Sequence, residues 1–226
     1  DILWVGDDSG SMEDDQMAVR AAADAMANVL IAAEVDFRLA VTRTRADDNR
    51  NDPRRGRLEG SGFTRSLDVF KEDILVGADG GWEPGLFTGL EAIDNSLPAT
   101  SLGEADDPMR LRDAAARIVI HMSDERDQDV ECAACGRCDA AEGEAYSCTE
   151  PEGQLVMDQF IADYQARDAV TFALVGDIPD GCLQPGASPD DNFEPGQGYD
   201  EVANATGGRF GSLCGVMEAS LEDEAR

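Results

Sequence analysis

Basic residues are scarce in this sequence of 226 residues. Lysine and arginine together number 18 against 48 aspartates and glutamates, which gives a formal net charge of −30 at pH 7. Because nucleic acids and anionic membranes are bound through positive charge, this balance argues against both as partners. The excess of acid is explained either by solubility in a salty medium or by an acidic docking surface.

Long apolar runs are also absent. No stretch of 18 apolar residues occurs, so the sequence predicts no membrane-spanning helix. A signal peptide is lacking too, since the chain opens on Asp1 and enters a predicted strand at once. We interpret the sequence as a mature product or as a domain taken from a longer protein.

Patterns typical of enzymes are missing as well. The sequence contains no recognisable Ser/His/Asp set, no acid and base pair with identifiable roles and no phosphate-binding glycine loop. His121, the single histidine, lies on a predicted apolar strand, where we expect a core residue bonded to a neighbour rather than a catalytic group. The protein is therefore not expected to be an enzyme.

Alternating strands and helices make up most of the chain. Hydrophobic patterns predict strands at 2–5, 36–43, 117–122, 170–175 and 209–213, and a short edge strand at 67–70. Helices are predicted at 13–34, 84–97, 151–168 and 199–206, with a further helix at the end of the chain. This order predicts a single α/β domain over residues 1–226, a three-layer, doubly wound and mostly parallel sheet flanked by helices.

Three oxygen-bearing side chains follow the first predicted strand at alternate positions. Asp7, Ser9 and Ser11 come directly after the apolar residues 2–5, and Gly10 allows the tight backbone path that turns both hydroxyls towards Asp7. A carboxylate and two hydroxyls suit Mg²⁺, Mn²⁺ or Ca²⁺ and suit zinc or copper poorly. The alternative is a cluster that caps the following helix, a role that Ser11 also fits.

A second acid is expected at the same edge of the sheet. Asp124 follows the apolar strand 117–122, within the sequence Ser123-Asp124-Glu125. Parallel α/β sheets bind ligands at the carboxyl ends of strands where the strand order reverses, and the first strand and this one are predicted neighbours there. Asp124 is thus predicted beside Asp7, and its alternative role is a turn or helix-capping acid.

Taken together, these residues resemble the metal-ion-dependent adhesion site of a von Willebrand factor A (VWA) domain. The resemblance rests on Asp7-x-Ser9-x-Ser11 with the following Met12 and on Ser123-Asp124. It implies that Asp124 completes the metal shell and that a threonine before the helix at 84–97 is a further ligand. Here the sequence departs from the pattern, because Thr88 lies one turn inside that helix and Glu83 stands at its start.

We favour Glu83 as the additional site residue, with Thr88 as the alternative. A carboxylate at this position increases the negative charge of the site, tightens divalent binding and favours Ca²⁺. Glu83 could equally be an ordinary acid at a helix N-terminus. The predicted metal residues are therefore Asp7, Ser9, Ser11, Glu83 and Asp124, and the predicted cofactor is Mg²⁺, with Ca²⁺ or Mn²⁺ as alternatives.

The resemblance also implies a function. We expect a metal-dependent protein-binding or adhesion module, in which the cation bridges to a carboxylate of a protein partner. The alternatives are a metal-stabilised structural domain of a larger surface protein and a metal-dependent hydrolase. The chain is similar to secreted or surface bacterial VWA proteins, so an extracellular or cell-surface location is expected, with the periplasm as the alternative.

Six cysteines, all outside the predicted strand interiors, favour disulfides and an oxidising compartment. Cys214 ends the last predicted strand, so we prefer a Cys182–Cys214 bridge that ties the long loop at 176–198 to the sheet. The insertion at 127–150 carries Cys132, Cys135, Cys138 and Cys148. Two disulfides or one zinc site explain these four, and the missing second C-x2-C pair weakens the zinc interpretation.

Arginines are concentrated in the polar loop that follows the second predicted strand. The set comprises Arg43, Arg45, Arg50, Arg54, Arg55 and Arg57. We expect these residues to neutralise nearby acids, and the alternative is a basic docking patch on an acidic surface.

Overall fold

The computed structural model describes residues 1–44, 55–78, 83–97, 107–130, 151–183 and 192–214. The strands are β1 (Ile2–Gly6), β2 (Leu39–Arg43), β3 (Arg117–Ser123), β4 (Ala169–Val175), β5 (Cys182–Leu183), β6 (Asn192–Phe193) and β7 (Phe210–Ser212). The helices are α1 (Glu13–Ala32), α2 (Leu67–Asp73), α3 (Gly85–Ser96), α4 (Pro151–Ala166) and α5 (Tyr199–Thr206). The main strands and helices thus follow the predicted order.

Five parallel strands form the central sheet, in the order β2, β1, β3, β4, β7. The chain leaves β1 for β2 on one side and later returns to β3 on the other, so the strand order reverses at β1. The prediction of a doubly wound parallel sheet is confirmed. The carboxyl ends of β1 and β3 therefore border the position where such folds bind ligands.

Helices cover both faces of the sheet. On one face, Leu3 and Val5 of β1 belong to a core cluster with residues of α3, α4 and α5. On the other face, Ile2 and Trp4 belong to a second cluster with residues of α1 and α2. Because β1 is buried on both faces, it reads as a continuous apolar run.

The edge strand expected at 67–70 is wrong, since these residues begin helix α2. The Ser66 hydroxyl accepts a hydrogen bond from the Val69 amide and caps this helix. The Phe70 ring packs against Trp4 at a centroid distance of 5.7 Å. Leu67 and Phe70 are spaced as on one face of a helix, but the segment is too short for its period to exclude a strand.

The outer edge of β2 is covered by the chain itself. Leu39 and Thr64 exchange two backbone hydrogen bonds of 2.8 Å, and the Glu59 amide donates to the Val41 carbonyl at 2.8 Å. The Thr42 hydroxyl donates to the carbonyl of Arg57 at 2.8 Å. The segment from 57 to 64 therefore runs along β2 in place of a further strand.

The predicted disulfide is present. Cys182 and Cys214 are bonded, with their Cα atoms 6.2 Å apart. The long loop at 176–198 also contains the antiparallel pair β5 and β6, which its composition did not predict. Cys132, Cys135, Cys138, Cys148 and the terminal helix fall outside the described residues, as do Arg45, Arg50 and Arg54.

Two arginines of the polar loop pair with acids, as expected. Arg43 binds Glu59 through two hydrogen bonds of 2.6 and 2.8 Å, and Arg55 binds Glu91 at 2.6 and 3.3 Å. Within the described part of the chain, no helix combines the length and apolarity that a membrane crossing requires.

Candidate metal site

Asp7 lies at the carboxyl end of β1, beside the end of β3. Its amide donates to the Met122 carbonyl at 3.0 Å and so continues the pairing of the two strands by one residue. The side chain is fully buried. Its Oδ1 accepts the Ser9 amide at 2.7 Å, and its Oδ2 accepts the Ser123 hydroxyl at 2.6 Å. Both carboxylate oxygens are therefore held in fixed directions.

The hydroxyls of Ser9 and Ser11, in the loop that follows Asp7, are hydrogen-bonded to each other. A short 3-10 turn at Gly10–Met12 brings their Oγ atoms within 2.9 Å of each other. Neither side chain caps a helix in the described structure, since the residues at the cap positions, Ser9 and Met12, make no side-chain cap bond. The two hydroxyls thus bond to each other instead of capping the first turn of α1, which speaks against the capping interpretation.

Asp124 lies next to these hydroxyls, at the end of β3. The nearby Ser11 hydroxyl acts to lower the pKa of its carboxyl group, which is almost completely buried. The Oδ1 atom has no partner among the residues that the structure describes. Asp7, Ser9, Ser11 and Asp124 are therefore brought together as the sequence predicts.

Glu83 and Thr88 occupy different environments. Glu83 is buried just before α3, and its carboxyl group is a hydrogen-bond neighbour of Asp7. Its Oε2 atom has no partner in the described part of the chain. Thr88 lies inside α3 and donates to the carbonyl of Thr44 at 3.4 Å. The charge of Asp7 thus acts on Glu83, whereas the Thr88 hydroxyl is bonded to a backbone carbonyl.

The carboxyl groups of the site disfavour one another's charge. Burial, the largest cause, raises the pKa of Asp7, Glu83 and Asp124 above their ordinary values. Repulsion adds to this effect, because Asp7 raises the pKa of both Glu83 and Asp124. An ionised carboxylate only accepts hydrogen bonds, so the neighbouring Asp7 and Glu83 must share a proton or a cation.

Asp15 is a further acid that the sequence analysis missed. It lies in the first turn of α1, is fully buried, and neither carboxylate oxygen has a partner in another described residue. Burial, and then the charges of Asp124, Asp14 and Asp7, raise its pKa to about 7. The signal was available, because Asp15 precedes the buried Val19 by four residues and shares its helix face.

Gln16 is the second residue that sequence reasoning did not identify. Its Nε2 atom donates to the carbonyl of Asp7 at 2.9 Å and to the carbonyl of Gly77 at 2.8 Å. The side chain thereby ties the loop after β1 to the segment after α2. No local pattern marks such a role, since both acceptors are backbone atoms.

His121 is a core residue, as expected. Its Nε2 atom lies 3.2 Å from the Tyr164 hydroxyl, which itself donates to the Leu86 carbonyl at 2.8 Å. The histidine therefore donates from Nε2. Burial lowers its pKa to about 3, which keeps the ring neutral.

The donors fit a hard divalent cation. In the described ranges, no group of three or more His, Cys, Asp or Glu side chains could hold a metal ion by itself. The candidate metal ligands instead include the hydroxyl oxygens of two serines, Ser9 and Ser11. Glu83 and Asp124 each have a buried carboxylate oxygen without a partner in the described residues, and the hydroxyls of Ser9 and Ser11 lie in the same loop region. A bound divalent cation would give these oxygens a partner.

Comparison with protein-family models and with curated protein sequences finds no match to this chain.

Proposed function

We propose that this protein is a metal-dependent protein-binding module of the VWA type. One divalent cation is bound at the carboxyl ends of β1 and β3, and a carboxylate of a protein partner completes its coordination. The residues that hold the cation are Asp7, Ser9, Ser11 and Asp124, with Glu83 beside them. The observation that supports this most strongly is the 2.9 Å contact of two non-capping serine hydroxyls between buried carboxyl groups.

Charge supports a cation at this point. Without one, burial raises the pKa values of Asp7, Glu83 and Asp124, and the charge of Asp7 raises those of Glu83 and Asp124 further. A divalent ion reverses this repulsion and makes every ionised carboxylate favourable. The choice between Mg²⁺ and Ca²⁺ depends on whether Glu83 binds the ion directly, because Ca²⁺ accepts more oxygen ligands.

The exposure of one side of the site to solvent supports the binding of a protein partner. Ser11 is exposed whereas Ser9, Asp7 and Asp124 are buried, so the site opens to solvent on the side of Ser11. A partner carboxylate would meet an acidic protein there, and only the bound cation makes that encounter favourable. Partner binding should therefore require the metal.

The disulfide supports the proposed location. A Cys182–Cys214 bond is stable in oxidising compartments, which include the cell exterior and the periplasm.

The test is calorimetric titration of metal-stripped protein with Mg²⁺, Ca²⁺ and Mn²⁺. We expect saturable binding of one ion, and we expect the Ser9→Ala/Ser11→Ala double variant to lose about 100-fold or more in affinity. Ser66→Ala is the matched control, because it removes a hydroxyl that caps α2 outside the site and should bind metal normally. Equal binding by wild type and double variant, or binding by neither, contradicts the proposal.

A metal-stabilised structural domain is the second candidate. Burial of Asp7, Glu83 and Asp124 favours it, since a mostly enclosed ion could support the fold alone. Relaxation of water protons by bound Mn²⁺ distinguishes the two candidates. An open coordination position gives a strong enhancement that acetate reduces, whereas an enclosed ion gives a weak enhancement that acetate leaves unchanged.

A further inference from the structure

The connection between β4 and α5, residues 176–198, contacts the turn that carries Asp124. The Glu194 amide donates to the Asp124 carbonyl at 2.7 Å, and the Asp127 amide donates to the Gln197 carbonyl at 3.2 Å. Arg126 and Glu194 form an ion pair at 2.8 Å. The turn from 124 to 127 is therefore bonded to this connection on both sides.

The connection is held close to the end of β4. The Gly196 amide donates to the Gly176 carbonyl at 3.2 Å, and the Phe193 side chain is buried in the core. A Cβ atom at Gly176 would lie 2.0 Å from the Glu194 carbonyl oxygen, so the two segments approach as closely as glycine permits. Residues 193–196 are therefore bonded both to the end of β4 and to the Asp124 turn.

The disulfide anchors the same connection to the sheet. Cys182 in β5 pairs through its strand with Phe193 in β6, the residue before Glu194. Cys214 follows β7 by two residues, so the bond links the β5–β6 pair to the edge of the sheet. In the described residues β5 and β6 pair only with each other, and a two-stranded pair of this kind is marginally stable without such an anchor.

We propose that the Cys182–Cys214 disulfide is a positioning element for Asp124, acting through the backbone bond from Glu194, so that metal affinity depends on this disulfide. The inference rests on the proposed metal site. Removing the bond frees the β5–β6 pair, loosens the turn at 124–127, and adds an ordering cost each time a cation is bound.

The first test compares wild type with the Cys182→Ser/Cys214→Ser variant, which leaves the other four cysteines in place. We expect the calorimetric Kd for Mg²⁺ to rise by about 10-fold, the effect typical of losing a group that orients a metal ligand. Thr206→Val is the matched control. It removes a hydroxyl bond to Thr171 towards the amino end of β4, and should lower stability without changing the Kd.

The second test is amide hydrogen exchange measured by NMR on the metal-free proteins. We expect the Glu194 and Asp127 amides to exchange about 10-fold faster or more in the cysteine variant. The Asp7 amide, bonded to Met122 in the sheet, should keep its rate and serves as the internal reference. Glu194→Ala retains the disulfide and breaks the ion pair to Arg126, so it should accelerate exchange at Asp127 even if the cysteine variant folds poorly.

The outcomes separate this inference from the proposed function. Metal binding by wild type with an unchanged Kd in the cysteine variant overturns the inference and leaves the proposed function intact. If wild type binds no metal, the proposed function fails, and amide hydrogen exchange then decides whether the disulfide positions the turn at 124–127. Unchanged exchange at Glu194 and Asp127 then overturns the positioning role as well, whereas faster exchange at both supports it.

Discussion

Asp15 occupies a position on α1 where the fold would ordinarily place an apolar side chain. It shares a buried helix face with Val19 and Ala23, yet its carboxyl group has no partner in another described residue. Burial of a charge is unfavourable unless an opposite charge compensates it. The position is explained if a cation lies nearby, because the charges that raise the pKa of Asp15 include Asp124 and Asp7.

Asp15→Asn should stabilise the metal-free protein at pH 8. Its pKa of about 7 means that the folded protein carries an unfavourable charge there, which the amide removes. We expect this substitution to raise the free energy of unfolding in urea with EDTA by about 2 kcal/mol more at pH 8 than at pH 5, where the folded protein is protonated at this position. Affinity for Mg²⁺ should fall, because the site loses a negative charge.

The exposed Asp14→Asn variant is the control for this substitution. It changes the same charge one residue earlier, on the solvent side of α1. A stabilisation at pH 8 equal to that of Asp15→Asn would contradict the assignment of the effect to burial.

Helix α3 shows how one element can be completed by another. It has no side-chain cap of its own in the described structure, and Pro84 stands at its N-cap position. Asp127, from the turn after β3, accepts the Leu86 amide at 2.8 Å and the Val130 amide at 3.1 Å. The beginning of α3, and with it Glu83, is therefore held by the segment that follows Asp124.

Asp127→Ala should destabilise the protein by about 2–3 kcal/mol, because two buried amides lose their acceptor. Chemical denaturation at pH 7 measures the change. Asp158→Ala is the control, since that carboxylate is exposed on α4 and binds Gln154. A loss of stability no larger than that of Asp158→Ala would show that water replaces the Asp127 carboxylate as acceptor.

Some of these elements could be predicted from the sequence and others could not. The buried strands were predictable because β1, β3 and β4 are apolar runs, and Asp7 and Asp124 follow from where those runs end. The choice between Glu83 and Thr88 was not predictable from the sequence, since it depends on the residue at which α3 begins. Asp127 as a cap and β5–β6 as a pair were also missed, because both arise from contacts between segments distant in sequence.

The whole molecule should respond to pH through its buried acids. Burial raises the pKa of Asp15 and Asp127 to about 7, and raises those of Asp7, Glu83 and Asp124 as well. A raised pKa means that the folded state retains protons which the unfolded chain has released. Their contribution to stability is therefore complete below about pH 4 and is lost as pH rises through 7.

We accordingly expect the free energy of unfolding of the metal-free protein to fall between pH 5 and pH 8. His121 and the N-terminal amine act in the opposite direction, since burial lowers their pKa values to about 3 and about 6, but they are two groups against these five acids. Urea denaturation at four pH values, with EDTA or with saturating Mg²⁺, measures this. Mg²⁺ should flatten the profile of wild type and leave that of Ser9→Ala/Ser11→Ala unchanged.

A rise in stability from pH 5 to pH 8 in EDTA would contradict the expected proton uptake. Equal flattening by Mg²⁺ in the serine variant would instead show that the ion acts outside the site.

The segment that runs along β2 also bears on how this protein behaves at high concentration. An exposed edge strand offers unpaired amides and carbonyls to a second chain and is a common start of sheet-to-sheet aggregation. Here the amide and carbonyl of Leu39 are both bonded to Thr64, and the carbonyl of Val41 is bonded to Glu59. Intermolecular strand addition at β2 would first have to displace this segment, so the fold carries its own protection against polymerisation at that edge.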